Sequence, residues 1–136
     1  MFIDTSVFIA IIAKEPEKSE FIAKIAHARR RYTSPLVVLE TVMRASSLLK
    51  IQVKEAGALM NELIAESQIT VVGISGRMGQ LAVDAFDRYG KGRGHPAQLN
   101  LAHCMGYACA KAYRAPILFK GRDFSHTDLK NALAEP

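Results

Sequence analysis

The chain has 136 residues, a length that fits one domain with its own hydrophobic core. Its hydrophobic fraction of 49% and charged fraction of 23% are typical of a globular protein, and its formal charge of +5 is compatible with a polyanionic partner such as RNA or DNA. The longest wholly apolar run, residues 7–13, is too short to span a bilayer and follows an aspartate, so we expect neither a membrane span nor a signal peptide there.

The first half of the chain alternates short apolar runs with helical patterns. MFID predicts a brief strand that ends at Asp4, and TSVFIAIIAKE predicts the helix that follows. Pro16 is placed to begin a second helix, and RYTS predicts a second strand. Ser34 and Pro35 predict the N-cap and first position of a third helix, and VKEAGALMNELIAES predicts a fourth helix.

The second half continues this alternation. ITVVGI is rich in β-branched residues and predicts a third strand, and GRMGQLAVDAFDRYG predicts a helix that ends at Gly90. KGRGHPAQ predicts a basic loop before a helix capped by Asn100. PILFKG predicts the last strand, and HTDLKNALAEP predicts a helical turn. The pattern indicates a single α/β domain over residues 1–136 with a mostly parallel sheet.

Cys104 and Cys109 lie five residues apart on a predicted helix, which directs them to different faces. They are therefore too far apart to form a disulfide. We expect buried thiols in a reducing, cytoplasmic environment.

Two aspartates follow predicted strands. Asp4 ends the first strand and Asp123 comes shortly after the last, so both are expected at the carboxyl edge of the sheet, where ligands of such folds bind. Each has a structural alternative, because Asp4 can cap the next helix and Asp123 can form an Asx-turn. Ser6, beside Asp4, can cap a helix or support a metal-bound water, and Asp128 can assist the site indirectly or act as a cap.

Glu40 lies within LVVLETVM, an apolar stretch of a predicted helix. Such an acid is expected to be at least partly buried, which is costly unless it is paired or bound to a metal. The structural alternative is an ion pair with Arg44 one turn along the helix.

Converging carboxylates of Asp4, Glu40 and Asp123 would repel one another unless a hard cation such as Mg²⁺ or Mn²⁺ neutralised them. A metal site of this kind is suited to phosphodiester hydrolysis. Basic residues elsewhere are either a solvated face or contacts for a nucleic-acid backbone. The candidates for such contacts are Lys91, Arg93, Lys120 and Arg122, with Ser6 as a further substrate-binding candidate.

Four segments together resemble the PIN domain, and more narrowly the VapC-like toxins of bacterial toxin–antitoxin pairs. They are MFIDTSVFIAIIAKEPE, SPLVVLET, YGKGRGHPAQLNLAHCMGYACAK and PILFKGRDFSHTDL. The resemblance implies a three-layer α/β/α sandwich and an Mg²⁺- or Mn²⁺-dependent ribonuclease that cleaves tRNA or another structured RNA. It maps the family's acidic residues to Asp4, Glu40 and Asp123.

The family's fourth acid is absent. Similar members carry NFGDC where this chain has NLAHC, so His103 replaces an acid. Three interpretations stay open: His103 binds the metal through a neutral nitrogen and shifts preference towards Mn²⁺ or softer ions, pairs with an acid in place of the metal, or points away. We expect weakened or altered catalysis, because the cation loses one carboxylate.

The resemblance also implies partners. A cognate VapB-like antitoxin is expected to cover an apolar groove of the early helices, with Phe8, Ile11, Ile12 and Phe21 as candidate contacts, and homodimerisation is expected to use the VKEAGALMNELIAES helix. The competing function is a binding module, in which a degraded site holds only antitoxin or RNA. A nucleotide-binding domain or phosphatase is disfavoured, since GKGRGH lacks the context of a phosphate-binding loop.

Overall fold

The computed structural model describes residues 1–134 and shows a small sheet flanked by helices. Along those residues the elements are β1 (Phe2–Ile3), α1 (Thr5–Ile12), α2 (Lys18–His27), β2 (Tyr32–Thr33), α3 (Pro35–Leu49), α4 (Val53–Glu66), β3 (Thr70–Val71), α5 (Gly76–Tyr89), α6 (Leu101–Ala112), β4 (Ile117–Leu118) and a 3-10 turn (Ala132–Ala134). The predicted α/β alternation is confirmed.

The sheet has the order β3-β2-β1-β4, and all of its strand pairs are parallel. From β1 the chain moves to β2 and then β3 on one side, and it later returns to place β4 on the other side of β1. Right-handed crossovers therefore assign α1–α4 and α5–α6 to opposite faces of the sheet. The strand order reverses beside β1, so the residues that follow β1 and β4 lie where ligands bind in such folds.

Local sequence explains most helix starts. The Ser34 hydroxyl accepts a hydrogen bond from the backbone N–H of Val37 at 3.2 Å, and Pro35 occupies the first turn of α3. The expected start of α2 at Pro16 is wrong, because that helix begins at Lys18 after two turn residues. The ITVVGI strand is reduced to Thr70 and Val71, which are both exposed, and β3 lies at one edge of the sheet.

The core lies between the sheet and the helices of both faces. Phe8, Ile11 and Phe21 belong to this core and are at most 6% exposed. They therefore do not form an open groove, which corrects their assignment as antitoxin contacts; Ile12 is half-buried and packs against the same core.

The two cysteines are free and buried, as expected. Burial raises the pKa of the Cys109 thiol to about 11, so it stays protonated at neutral pH. Across residues 1–134 the helices are too short or too polar for any of them to cross a bilayer.

Candidate active site at the carboxyl ends of β1 and β4

Asp4 is the residue directly after β1 and the N-cap of α1. Its Oδ2 accepts hydrogen bonds from the Ser6 backbone N–H at 3.0 Å and the Ser6 hydroxyl at 2.6 Å. Burial raises the pKa of Asp4, the bonds from Ser6 and the nearby His103 lower it in part, and the Glu40 carboxylate adds to the rise. Asp4 therefore caps a helix and also lies within electrostatic reach of two other candidate residues.

Glu40 is half-buried on α3 and reaches the start of α1. Its Oε1 accepts a hydrogen bond from the hydroxyl of Thr5, a side chain that is only 1% exposed. Within residues 1–134 Glu40 forms no ion pair with Arg44, so the intrahelical alternative is not the one adopted. Thr5 instead orients this carboxylate beside Asp4.

His103 is the third residue of α6 and closes its capping box. The Asn100 side chain accepts from the His103 backbone N–H at 2.9 Å, and the Asn100 backbone N–H donates to His103 Nδ1 at 3.4 Å. The other ring nitrogen, Nε2, lies 3.4 Å from Oδ2 of Asp123. A neutral imidazole with its proton on Nε2 makes both contacts. The ring therefore points to Asp123, which excludes the interpretation that it points away.

Asp123 follows β4 in a turn, and its side chain is half exposed. The next residue, Phe124, is buried and packs edge-to-face on the His103 ring, with ring centroids 5.4 Å apart. The turn is thus seated on the first turn of α6, and the carboxylate of Asp123 is brought to the imidazole.

The predicted substrate contacts Ser6 and Lys120 have structural partners. The Ser6 hydroxyl accepts a hydrogen bond from the Lys120 backbone N–H at 2.9 Å while it donates to Asp4, so it connects the ends of β1 and β4. The Lys120 ammonium lies 3.2 Å from Glu15 and 3.1 Å from Glu17, and its hydrogen bonds to Glu17 and then Glu15 raise its pKa. This lysine is less available to a phosphate than the sequence indicates.

Two other predicted substrate contacts, Arg93 and Arg122, differ in whether an acid pairs with them. Arg93 forms an exposed ion pair with Asp87 at 3.2 Å. Arg122 is exposed next to Asp123, and its guanidinium has no acidic partner among the described residues. Asp128 does not join the acids: its carboxylate is bonded to Tyr107 and Lys111, farther along α6.

The carboxylate oxygens of Asp4, Glu40 and Asp123 are of the type that binds a hard cation, although they do not enclose one. Within residues 1–134, no three His, Cys, Asp or Glu side chains are grouped closely enough to hold a metal ion together. Oδ1 of the buried Asp4 carboxylate receives no hydrogen bond from any described residue, which leaves it available as a ligand. Mg²⁺ commonly binds one or two carboxylates and retains several waters. Asp4 together with Glu40 fits that mode of binding.

Comparison with known proteins agrees with the fold. A family model described as PIN domain matches residues 1–130. Ribonuclease VapC28 of Mycobacterium tuberculosis is 36% identical over 133 residues, which cover 98% of each chain. A VapC ribonuclease of Rhizobium meliloti is 38% identical over 139 residues, which cover 94% of this chain and 98% of that protein. The crystal structure of Mycobacterium tuberculosis VapC20, described as a Sarcin-Ricin loop cleaving toxin, matches with a TM-score of 0.74 at 15% identity, over 94% of this chain and 95% of that one.

The chain belongs to the PIN domain family. Within that family it is similar over nearly its whole length to the VapC ribonucleases. The predicted three-layer α/β/α fold and the resemblance to VapC-like proteins are therefore confirmed.

The partners that orient these residues were not predicted from the sequence. Thr5 lies directly after Asp4, so the sequence indicated that its hydroxyl is near the site. It did not indicate that the hydroxyl bonds to Glu40. Glu15 is 105 residues from Lys120 in the chain, so no local pattern connects them.

Proposed function

We propose that this chain is a metal-dependent endoribonuclease toxin that cleaves a structured RNA and is neutralised by a VapB-like antitoxin. The observation that carries the proposal is the buried Asp4 carboxylate at the strand-order switch, close to Glu40 and His103. Its similarity to VapC ribonucleases over 98% of the chain supports the same chemistry. Residues 1–136 are taken as one domain that acts in the cytoplasm.

Each residue of the site has a distinct role. A bound Mg²⁺ or Mn²⁺ supplies an activated water and stabilises negative charge on the scissile phosphate. Asp4 is the principal ligand, and Ser6 fixes the orientation of its carboxylate through Oδ2. Thr5 holds Glu40 for a second ligand contact. Arg122 is the exposed cation nearest in sequence to the site, and we assign it to an RNA phosphate.

His103 makes this site differ from a site with four acids. With its proton on Nε2 the imidazole lies 3.4 Å from the Asp123 carboxylate, so it competes with a cation for that carboxylate. Binding of the metal through Nε2 requires the proton to move to Nδ1, which removes the long acceptor contact with the Asn100 N–H. We therefore propose that the site binds its cation more weakly than it would with an acid at position 103, and that catalysis is attenuated.

The test compares the purified, antitoxin-free protein with Asp4→Asn in cleavage of total tRNA and ribosomal RNA, in Mg²⁺ and in Mn²⁺. Asparagine caps helices as well as aspartate does, so this variant should keep α1 and remove only a ligand charge. We expect cleavage by the parent chain and at least about a 100-fold loss in Asp4→Asn, the scale of losing one catalytic electrostatic contact. Equal cleavage by both proteins would contradict the proposal.

The alternative is a binding module that holds antitoxin or RNA without cutting. The His103–Asp123 contact favours it, because that contact occupies one of the expected ligands. A chain that binds RNA equally well with Asp4 or Asn at position 4, and cuts nothing in either metal, would be this module.

Homodimer formation is a further part of the proposal. Helix α4, the expected interface, exposes Val53 and Leu59 at 64% and 41%. Sedimentation of the parent chain against Val53→Lys tests the assignment, since a charge in an apolar interface should shift the equilibrium to monomer.

A further inference from the structure

The turn that carries Asp123 lies outside helix and strand. Residues 119–130 have no regular element. Backbone groups of Lys120 and Lys130 bond this segment to Ser6 and Ile117, and between these two ends the position of Asp123 depends on side-chain anchors. One anchor is Phe124, which is 1% exposed and lies beside the ring of His103. Local turn bonds, including Thr127 Oγ1 to the Phe124 carbonyl at 2.8 Å, shape the segment but do not attach it to the rest of the fold.

A second anchor follows Asp123 in the sequence. Oδ1 of Asp128 accepts hydrogen bonds from the hydroxyls of Tyr107 at 2.6 Å and Tyr89 at 3.3 Å, and Oδ2 accepts from the Lys111 ammonium at 2.7 Å. Arg88 donates to the Tyr89 hydroxyl at 2.7 Å, which orders the tyrosine in turn. One carboxylate thus attaches the turn to both α5 and α6.

These contacts follow one face of α6. His103, Tyr107 and Lys111 are spaced four residues apart, so their side chains stack along the helix on successive turns. The turn contacts His103 through Asp123 and Phe124, and it contacts Tyr107 and Lys111 through Asp128. The contact at His103 is the longer at 3.4 Å, whereas those to Asp128 are 2.6 and 2.7 Å. The Asp128 end therefore supplies the stronger attachment.

The donors and acceptors of this anchor keep their protonation states at neutral pH. Burial, followed by the hydrogen bond to Asp128, raises the pKa of Tyr107 well above its ordinary value. Burial raises the pKa of Asp128, but hydrogen bonds from Lys111 and Tyr107 outweigh that effect, and the net pKa is below the ordinary value. Tyr107 thus remains a donor and Asp128 an acceptor.

We propose that Tyr107 and Asp128 are positioning residues whose hydrogen bond holds the Asp123 turn in register with His103 on α6. The inference rests on the proposed ribonuclease function for its catalytic consequence. Neither residue contacts the acids Asp4 and Glu40, so both act through the placement of Asp123. Displacement of a catalytic group by about 1 Å is sufficient to cost roughly 100-fold in rate.

The test uses Tyr107→Phe and Asp128→Asn, which remove the bond and preserve side-chain shape. The matched control is Asp87→Asn, which breaks the exposed ion pair with Arg93 on α5, away from the turn. Hydrogen exchange measured by mass spectrometry is followed in peptides covering residues 119–130. We expect both positioning variants to lose protection there and the control to retain it, with circular dichroism unchanged in all three.

Cleavage kinetics and Mn²⁺ binding by electron paramagnetic resonance give the catalytic consequence. Both positioning variants should lower kcat by about 10- to 100-fold with KM nearly constant, and weaken Mn²⁺ binding, because a ligand moves and RNA contacts stay. Unchanged exchange in residues 119–130 would overturn the proposal, as would full kcat in folded variants. If the parent chain neither cuts RNA nor binds Mn²⁺, the proposed function fails, and the exchange result still decides whether these residues position the turn.

Discussion

At the scale of single residues, His103 changes the chemistry of the site without disturbing the helix that carries it. Its Nδ1 accepts the Asn100 N–H, which an acid at this position would also do, so the capping box survives the exchange. Its Nε2 approaches Asp123, where an acid would add negative charge instead. Fold and function therefore place different demands on position 103.

His103→Asp should restore the missing charge. We expect Mn²⁺ to bind about 10-fold or more tightly, within the range of effects reported for changes around metal ligands, and RNA cleavage to rise with it. Calorimetric titration with Mn²⁺ measures the affinity. The matched control is His103→Asn, which has the shape of aspartate without its charge; a similar gain in that variant would show that relief of the Asp123 contact, not charge, is the cause.

Asp128 predicts a specific pH dependence of stability. Its pKa is lower in the folded state than in the unfolded chain, so the unfolded state binds more protons as pH falls towards and below 3.8. Its stabilising effect is complete above that value and is lost as pH falls through the folded-state pKa. Asp128→Asn should therefore lower the free energy of unfolding at pH 7 by about 1–2 kcal/mol. The effect is no larger, because partial exposure to solvent weakens hydrogen bonds to a charged group.

Urea unfolding at pH 7, 5, 4 and 3 measures that difference. It should be constant from pH 7 to 5 and shrink towards pH 3. A difference that stays constant down to pH 3 would mean that the carboxylate does not titrate in this range.

At the scale of elements, the sequence predicts those features that depend on near neighbours. Ser34 with Pro35, and Asn100, mark helix starts because a cap needs only residues two or three positions away. The start predicted for α2 at Pro16 was wrong because a proline is also acceptable in the turn before a helix. The β3 strand spans only Thr70 and Val71 of the ITVVGI run, and the sequence of this run does not indicate where the strand ends or that it lies at the sheet edge.

Two glycines in helical surroundings should respond oppositely to alanine. Around Gly57, inside α4, a Cβ would meet no atom within 4 Å, so Gly57→Ala should stabilise the protein by about 1 kcal/mol through helix propensity. Around Gly90, after α5, a Cβ would lie 2.5 Å from the Phe86 carbonyl oxygen. Gly90→Ala should therefore destabilise by about 1–3 kcal/mol. Thermal unfolding of both variants gives the comparison, and a stabilising Gly90→Ala would show that the Phe86 region relaxes freely.

At the scale of the whole molecule, the positive charge is unevenly available. Lys120 is held by Glu15 and Glu17, and Arg93 is held by Asp87, although both were candidates for contact with RNA. These pairs join distant parts of the chain or depend on side-chain geometry, so the sequence predicted the presence of cations near the site but not their availability. The positions of Asp4, Glu40 and Asp123 were more predictable, since strand ends and apolar helix faces indicate them.

RNA binding should reveal this difference in availability. In an Asp4→Asn background that does not cut, Arg122→Ala should weaken RNA binding and reduce the slope of log K against log salt by about one, as expected for the loss of one phosphate contact. Arg93→Ala should change the slope much less, because Arg93 is already paired. Filter binding between low and moderate salt measures both slopes, and equal changes would contradict the assignment.

The pairing of β1 with β4 joins Phe2 to Ile117 and Ile3 to Leu118. The β4 strand therefore joins the sheet only after residue 118 has been synthesised, and Asp123 is made later still. Until then a nascent chain with its β1–β2 pair in place lacks the β4 edge of the sheet and the Asp123 side of the candidate site. The order of synthesis thus completes the helix cap at Asp4 early and the site around it late.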